Sequence, residues 1–262
     1  MIERLAHSFG ALSRPLGSLA QSLGTLARPL EGLTHLLFPQ VCVVCRKTLT
    51  APEQQLCSAC LTDFAPFPNP LAGGQAVIRS VNSHFGLGAI PSAAWSLYPY
   101  RSNGALHDAL HAMKYEGLFP LGRLFGRWLG ELVQSAGGAG EVEAIVPVPL
   151  HPLKRIERSY NQSEAIASGM AEVLDLPVVE DSIERSAYTG SQTGLGITER
   201  RKNMAGVFRP VTRNSHRISG RVVLVDDVLT TGATMVAAAS ALKEAGVDEV
   251  AFAVVAVTEE KE

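Results

Sequence analysis

The sequence predicts an α/β fold, a parallel sheet flanked by helices, with a small four-cysteine metal-binding module ahead of it. Three observations predict this. Residues 222–226 and 250–257 are nearly uninterrupted apolar runs, the pattern of strands covered by helices on both faces. From residue 93 onward, strand-like segments alternate with helix-like ones. Before them, Cys42 and Cys45, then Cys57 and Cys60, form two CxxC pairs that account for all four cysteines of the chain.

The elements are justified in order as follows. In residues 1–40, Leu5, Phe9, Leu12, Leu16, Leu19 and Leu23 begin a heptad-like seam that continues to Leu37. Pro15, Pro29 and several glycines interrupt it, so the expectation is an amphipathic, broken arm rather than one continuous helix. Residues 41–64 hold the cysteine module. Residues 65–92, rich in Pro, Gly, Ser and Asn, read as a linker or irregular extension. Residues 93–262 form the α/β domain, with strands expected at 93–98, 144–148, 176–180, 222–226 and 249–257. Helices are expected at 104–114, 120–135, 161–175 and 233–245, the last set between Gly232 and Gly246.

At 262 residues the chain can bury a sizeable core, and 46% hydrophobic against 18% charged residues fits that. A formal net charge of −2 excludes a globally basic nucleic-acid coat. No apolar run has the length of a membrane span and the start lacks a secretory signal pattern, so the expected compartment is the cytoplasm.

Each CxxC pair can present two thiolates to one ion, and eleven residues separate the pairs. Together they complete a closed four-sulfur shell with no position left for water, which is a structural zinc site. Two disulfides, unrelated thiols and iron–sulfur ligation are the alternatives.

The stretch 222–234 reads VVLVDDVLTTGAT. Its apolar run ends in Asp226 and Asp227, and open parallel sheets bind ligands beyond the carboxyl ends of their strands. Thr230, Thr231, Gly232, Ala233 and Thr234 follow, leading into a helix whose first-turn N–H groups can cradle a phosphate. Carboxylates beside such a cradle need a target other than phosphate. A ribose diol and a magnesium ion both qualify. Phosphate, ribose and a metal-bound polyphosphate together describe 5-phosphoribosyl 1-pyrophosphate (PRPP).

At these thirteen positions the chain resembles the type I phosphoribosyltransferases. A second resemblance is narrower. The double CxxC, the run from Val146 to Pro152, Tyr160-Asn161-Gln162, Arg185 and Gln192-Thr193-Gly194-Leu195 look like the ComF (ComFC) family of competence-associated proteins. That resemblance implies a phosphoribosyltransferase-like domain and, for the site, Asp226 and Asp227 on the ribose hydroxyls with magnesium. It implies the loop 230–234 on the 5-phosphate, Val148 and Pro149 against the pyrophosphate, and Lys154, Arg155 and Arg158 as cations beside it. Residues 185–208 correspond to a hood over the site, with Thr189, Gln192, Arg200 and Asn203 as its polar members. Ser159 stands where the family usually has Gly, and Ala187 where it often has a basic residue.

The resemblance also implies a setting in natural transformation, with single-stranded DNA and a helicase-like competence protein as partners. Residues 200–221 carry seven Arg or Lys and no acid, but only Phe208 lies among them, so no stacking platform is evident. The rival reading is a non-catalytic module that uses the same fold to bind nucleic acid or the helicase partner.

Overall fold

The computed structural model describes residues 40–86, 91–138, 140, 142–186, 206–211 and 218–258. Chain contacts divide the protein at Cys42, and all that follows concerns the unit Cys42–Glu262. The leucine seam from Leu5 to Leu37 lies outside the described residues.

The two apolar runs become the centre of a sheet. Strands β5 (Arg221–Leu229) and β6 (Glu249–Thr258) pair in parallel, with β1 (Ala94–Tyr100) beyond β6 and β2 (Val142–Pro147) beyond β5, giving the order β1-β6-β5-β2. All three pairings are parallel. Alternation along the strands sends residues to opposite layers. Val223, Val225, Ala251, Ala253 and Val255 enter one core, while Val222, Leu224, Val250, Phe252 and Val254 enter the other. Both faces are therefore covered, as the apolar runs require.

The first core is shared with α3 (Ala105–Tyr115), α4 (Phe119–Ser135) and α6 (Gln162–Leu174), which follow the expected 3.6-residue spacing. The second is covered by α7 (Ala233–Glu244) and by α2 (Pro70–Phe85). The expectation of a linker or irregular extension over 65–92 differs from the structure here. Asn69 caps α2 by accepting hydrogen bonds from Leu71 N and Ala72 N, both at 3.0 Å, and Pro70 occupies the first turn. Burial of Ala76, Val77 and Val81 then holds the helix on the sheet.

Two smaller differences concern strands. Residues 176–180 make only a single parallel bridge, Ile145 to Val178, outside β2. Pro177 O accepts from Ile145 N and Val179 N donates back to Ile145 O, both at 2.9 Å, but Pro177 has no N–H to carry the ladder further. A two-stranded antiparallel ribbon, β3 (Ile183–Arg185) with β4 (Phe208–Pro210), appears where only a hood was expected.

The cysteine segment ends in helix α1 (Ser58–Asp63) and is not a separate body. Cys42, Leu56, Cys57, Cys60 and Phe64 join Leu106, Leu110 and Phe125 in one core. Phe64 packs edge-on against Tyr98, ring centroids 5.3 Å apart. No described helix is long and apolar enough to cross a membrane.

Candidate functional site

The crevice exists because β5 outruns its neighbour. Pairing with β2 ends at Pro147 opposite Val225, with one further hydrogen bond from Val148 N to Val225 O at 2.9 Å. β5 continues beyond it through Asp226 and Asp227, paired on its β6 side alone. Short helix α5 (Pro152–Arg158) follows β2 from the same strand end.

Asp226 accepts from Ser163 Oγ at 2.9 Å and from Asp227 N at 2.9 Å. Asp227 Oδ2 lies 2.8 Å from Lys114 Nζ, the two side chains being 11% and 26% exposed. Two adjacent acids in a poorly hydrated place resist double ionisation. Burial, then the charge of Asp227, pushes the Asp226 carboxyl up to about 6. Burial opposes the Lys114 ammonium, yet Asp227 and then Asp226 outweigh it and its pKa is raised. Lys114 is thus the counter-ion that lets the pair carry charge before any ligand arrives.

On the other side lies the loop 230–234. Gly232 takes the left-handed conformation, φ 78°, and begins α7 without a side-chain cap. Its backbone lies so close to α2 that a Cβ would sit 2.9 Å from Val81 Cγ2. Thr231 Oγ1 accepts weakly from Ala233 N at 3.4 Å, and Thr230 O accepts from Ser80 Oγ at 2.9 Å. Ala233 is buried and Thr234 half-buried. The helix α2 that composition obscured is what braces this loop.

Where the resemblance implies pyrophosphate, Val148 is buried, and its carbonyl accepts from Asn161 Nδ2 at 3.0 Å; Pro149 follows half-buried. Lys154 has its pKa lowered by burial and then by Arg158 and Arg185, so three cations crowd together, and Arg185 is within electrostatic reach of Asp226. The Arg158 guanidinium sits 5.3 Å from the Tyr115 ring centroid and donates to Gln162 Oε1 at 3.2 Å, while its Nε is buried without a hydrogen bond. Arg155 differs: it is clasped by Glu164 through two hydrogen bonds of 2.9 and 3.0 Å. Ser159 adopts φ 68°, the left-handed region that explains why glycine suits this turn.

Residues 161–262 match the family model described as the phosphoribosyl transferase domain. The chain is 28% identical over 214 residues to Competence protein F of Haemophilus influenzae, covering 80% of this chain and 93% of that protein. It is 29% identical over 150 residues to Competence protein ComFC of Streptococcus pneumoniae, covering 56% of this chain and 61% of that protein. The chain is thus similar to two proteins named for competence, and its C-terminal part matches the phosphoribosyl transferase domain. Among solved structures, a glutamine PRPP amidotransferase from B. subtilis complexed with ADP and GMP aligns at 19% identity and TM-score 0.35, covering 67% of this chain and 30% of that one.

The four cysteines do converge. Their Sγ atoms all lie within 4.8 Å of one another, so they could hold a zinc ion. Cys45 Sγ and Cys57 Sγ are 3.6 Å apart. Thiolates about 2.3 Å from a central zinc would form a tetrahedron with edges of about 3.8 Å, so the donor set fits. Burial opposes ionisation of Cys42, but the backbone N–H groups of Cys45, Cys57 and Val44 outweigh it and bring its thiol down to about 6. Cys60 is pushed strongly upward, by burial and then by the neighbouring thiols. A dication among them would relieve that conflict.

The hood residues Thr189, Gln192, Arg200 and Asn203, with Ala187, lie outside the described residues, as does most of the basic run. Only the base of the hood is described, where the Arg185 guanidinium stacks 5.5 Å from the Phe208 ring centroid. Lys114, Ser163 and Ser80 are site residues that sequence reasoning missed. Lys114 had one local signal, a base in the last turn of an expected helix, but that is the ordinary place for a helix-dipole lysine.

Proposed function

We propose that this protein binds PRPP with magnesium and transfers its phosphoribosyl group, in the setting of natural transformation that the names of its two competence-protein relatives suggest. One observation carries the reading: an acid pair partly neutralised by Lys114, further cations of which Arg185 is within electrostatic reach of Asp226, and the glycine-started helix N-terminus that directly follows the acid-bearing strand. Those three environments suit, in turn, the ribose diol, the pyrophosphate and the 5-phosphate. Asp226 and Asp227 accept hydrogen bonds from the ribose hydroxyls. The N–H groups and hydroxyls of 230–234 hold the 5-phosphate. Lys154, Arg158 and Lys114 face the leaving pyrophosphate, where negative charge develops as the ribose becomes oxocarbenium-like. Magnesium would supply further neutralisation of the polyphosphate, and the carboxylates of Asp226 and Asp227 are the residues suited to it. The four-cysteine site holds structural zinc, and the protein works in the cytoplasm.

Release of pyrophosphate from PRPP, screened against nucleobases and small amines, tests the transfer. An acceptor-dependent release lost in Asp226→Asn/Asp227→Asn is the expected result. Cells carrying that double change and still transforming at the normal frequency would overturn a required catalytic role.

A further inference from the structure

The four-cysteine segment grips helix α3 at both ends. At its start, Gly104 offers no side chain to cap the helix, and Asp63 Oδ2 accepts from Ala105 N at 2.9 Å instead. At its end, Glu116 follows the last turn and accepts from Arg46 Nη2 at 3.1 and 3.3 Å. Arg46 directly follows Cys45 in a tight turn, φ 61°, its N–H bonded to Cys42 O at 2.9 Å. Asp63 ends the short helix that contains Cys60. Both gripping residues therefore stand on the segment that carries the four sulfurs. Between the grips, α3 buries Leu106, Leu110 and Met113, and its last turn delivers Lys114 to Asp227.

We propose that Asp63 and Arg46 are positioning residues, through which the metal-bound cysteine segment fixes α3 and so holds Lys114 against the acid pair. The inference rests on the PRPP reading of that pair. The two grips are unequal. Arg46 and Glu116 are both well exposed, and an ion pair of that kind contributes little. The Asp63 cap replaces the one Gly104 lacks and carries most of the effect.

The test uses the full chain with Asp63→Ala/Arg46→Ala and the conservative pair Asp63→Asn/Arg46→Lys, the first still able to cap and the second still cationic. Zinc content is read with a chelating dye, amide exchange at 113–116 is read without ligand, and magnesium-PRPP affinity by calorimetry. The alanine pair is expected to retain wild-type zinc, exchange faster at 113–116 and bind PRPP about fivefold more weakly, the size of one lost cap. The conservative pair restores both readouts. Unchanged exchange or unchanged affinity in the alanine pair overturns the proposal, as does an equal defect in the conservative pair. Loss of zinc from the alanine pair also contradicts it, because neither residue belongs to the metal shell. If the wild type itself does not bind PRPP, the functional reading fails, while the exchange data still decide whether the grip exists.

Discussion

Replacing Lys114 with Met keeps the apolar stem of the side chain and removes its charge from beside Asp227. With an Nζ–Oδ2 distance of 2.8 Å, the direct attraction is about 6 kcal/mol at an effective dielectric constant of about 20. The folded protein does not lose that much, because the acid pair has an escape. Burial and Asp227 push the Asp226 carboxyl up to about 6, so at pH 7 taking up one proton costs only about 1 kcal/mol. Adding the desolvation of the carboxylate left charged, we expect Lys114→Met to destabilise the protein by about 2 kcal/mol at pH 7. The pH dependence follows from the same proton. Without Lys114 the folded-state pKa of the pair rises further above the unfolded value near 4, so the folded variant holds more protons than its unfolded chain up to a higher pH. Its stability therefore falls more steeply than the wild type's as pH rises, and at pH 5 the loss shrinks to about 1 kcal/mol. Urea unfolding of wild type and variant at pH 5 and pH 7 measures this. An equal loss at the two pH values, or none at pH 7, would refute the assignment of Lys114 as counter-ion.

Other expectations follow from the same geometry. Gly232→Ala forces an alanine into φ 78° with its Cβ 2.9 Å from Val81, so thermal unfolding should show a loss of about 1–2 kcal/mol, and PRPP binding should weaken with it. Ser159→Gly relieves a left-handed serine on an exposed turn and should raise stability by about 1 kcal/mol in the same assay. The proposed site takes magnesium-PRPP on an ionised Asp226, so affinity should fall as pH drops below about 6, approaching tenfold per pH unit; a flat profile from pH 5 to 7 would count against the acid pair as the ligand site.

The sheet and the acid pair were legible because their signals are local. The run from Val222 to Val225 can be buried on both faces only in a covered strand, and the acids follow it directly. Lys114 was not legible, since its meaning depends on a contact with a residue more than a hundred positions away. Helix α2 was obscured for a different reason. Gly73, Gly74, Ser80 and Ser83 lower its apparent helix propensity, yet Gly74 is needed because a Cβ there would meet Ala94 O at 2.0 Å. The composition that looked like a linker is that of a helix pressed on a strand. Arg155 illustrates the limit of motif reading. The resemblance sets it beside the pyrophosphate, whereas here it pairs with Glu164 in the first turn of α6. The four-cysteine module was legible as a metal site from spacing alone, whereas its continuity with the main core depends on Leu56 and Phe64, which no spacing rule marks.

Calorimetric titration of PRPP into the freshly purified protein, with and without magnesium, tests the central claim most directly. The account predicts saturable, magnesium-dependent binding at one site, abolished in Asp226→Asn/Asp227→Asn while the fold persists by circular dichroism. Binding that survives the double substitution, or none in the folded wild type, would contradict it.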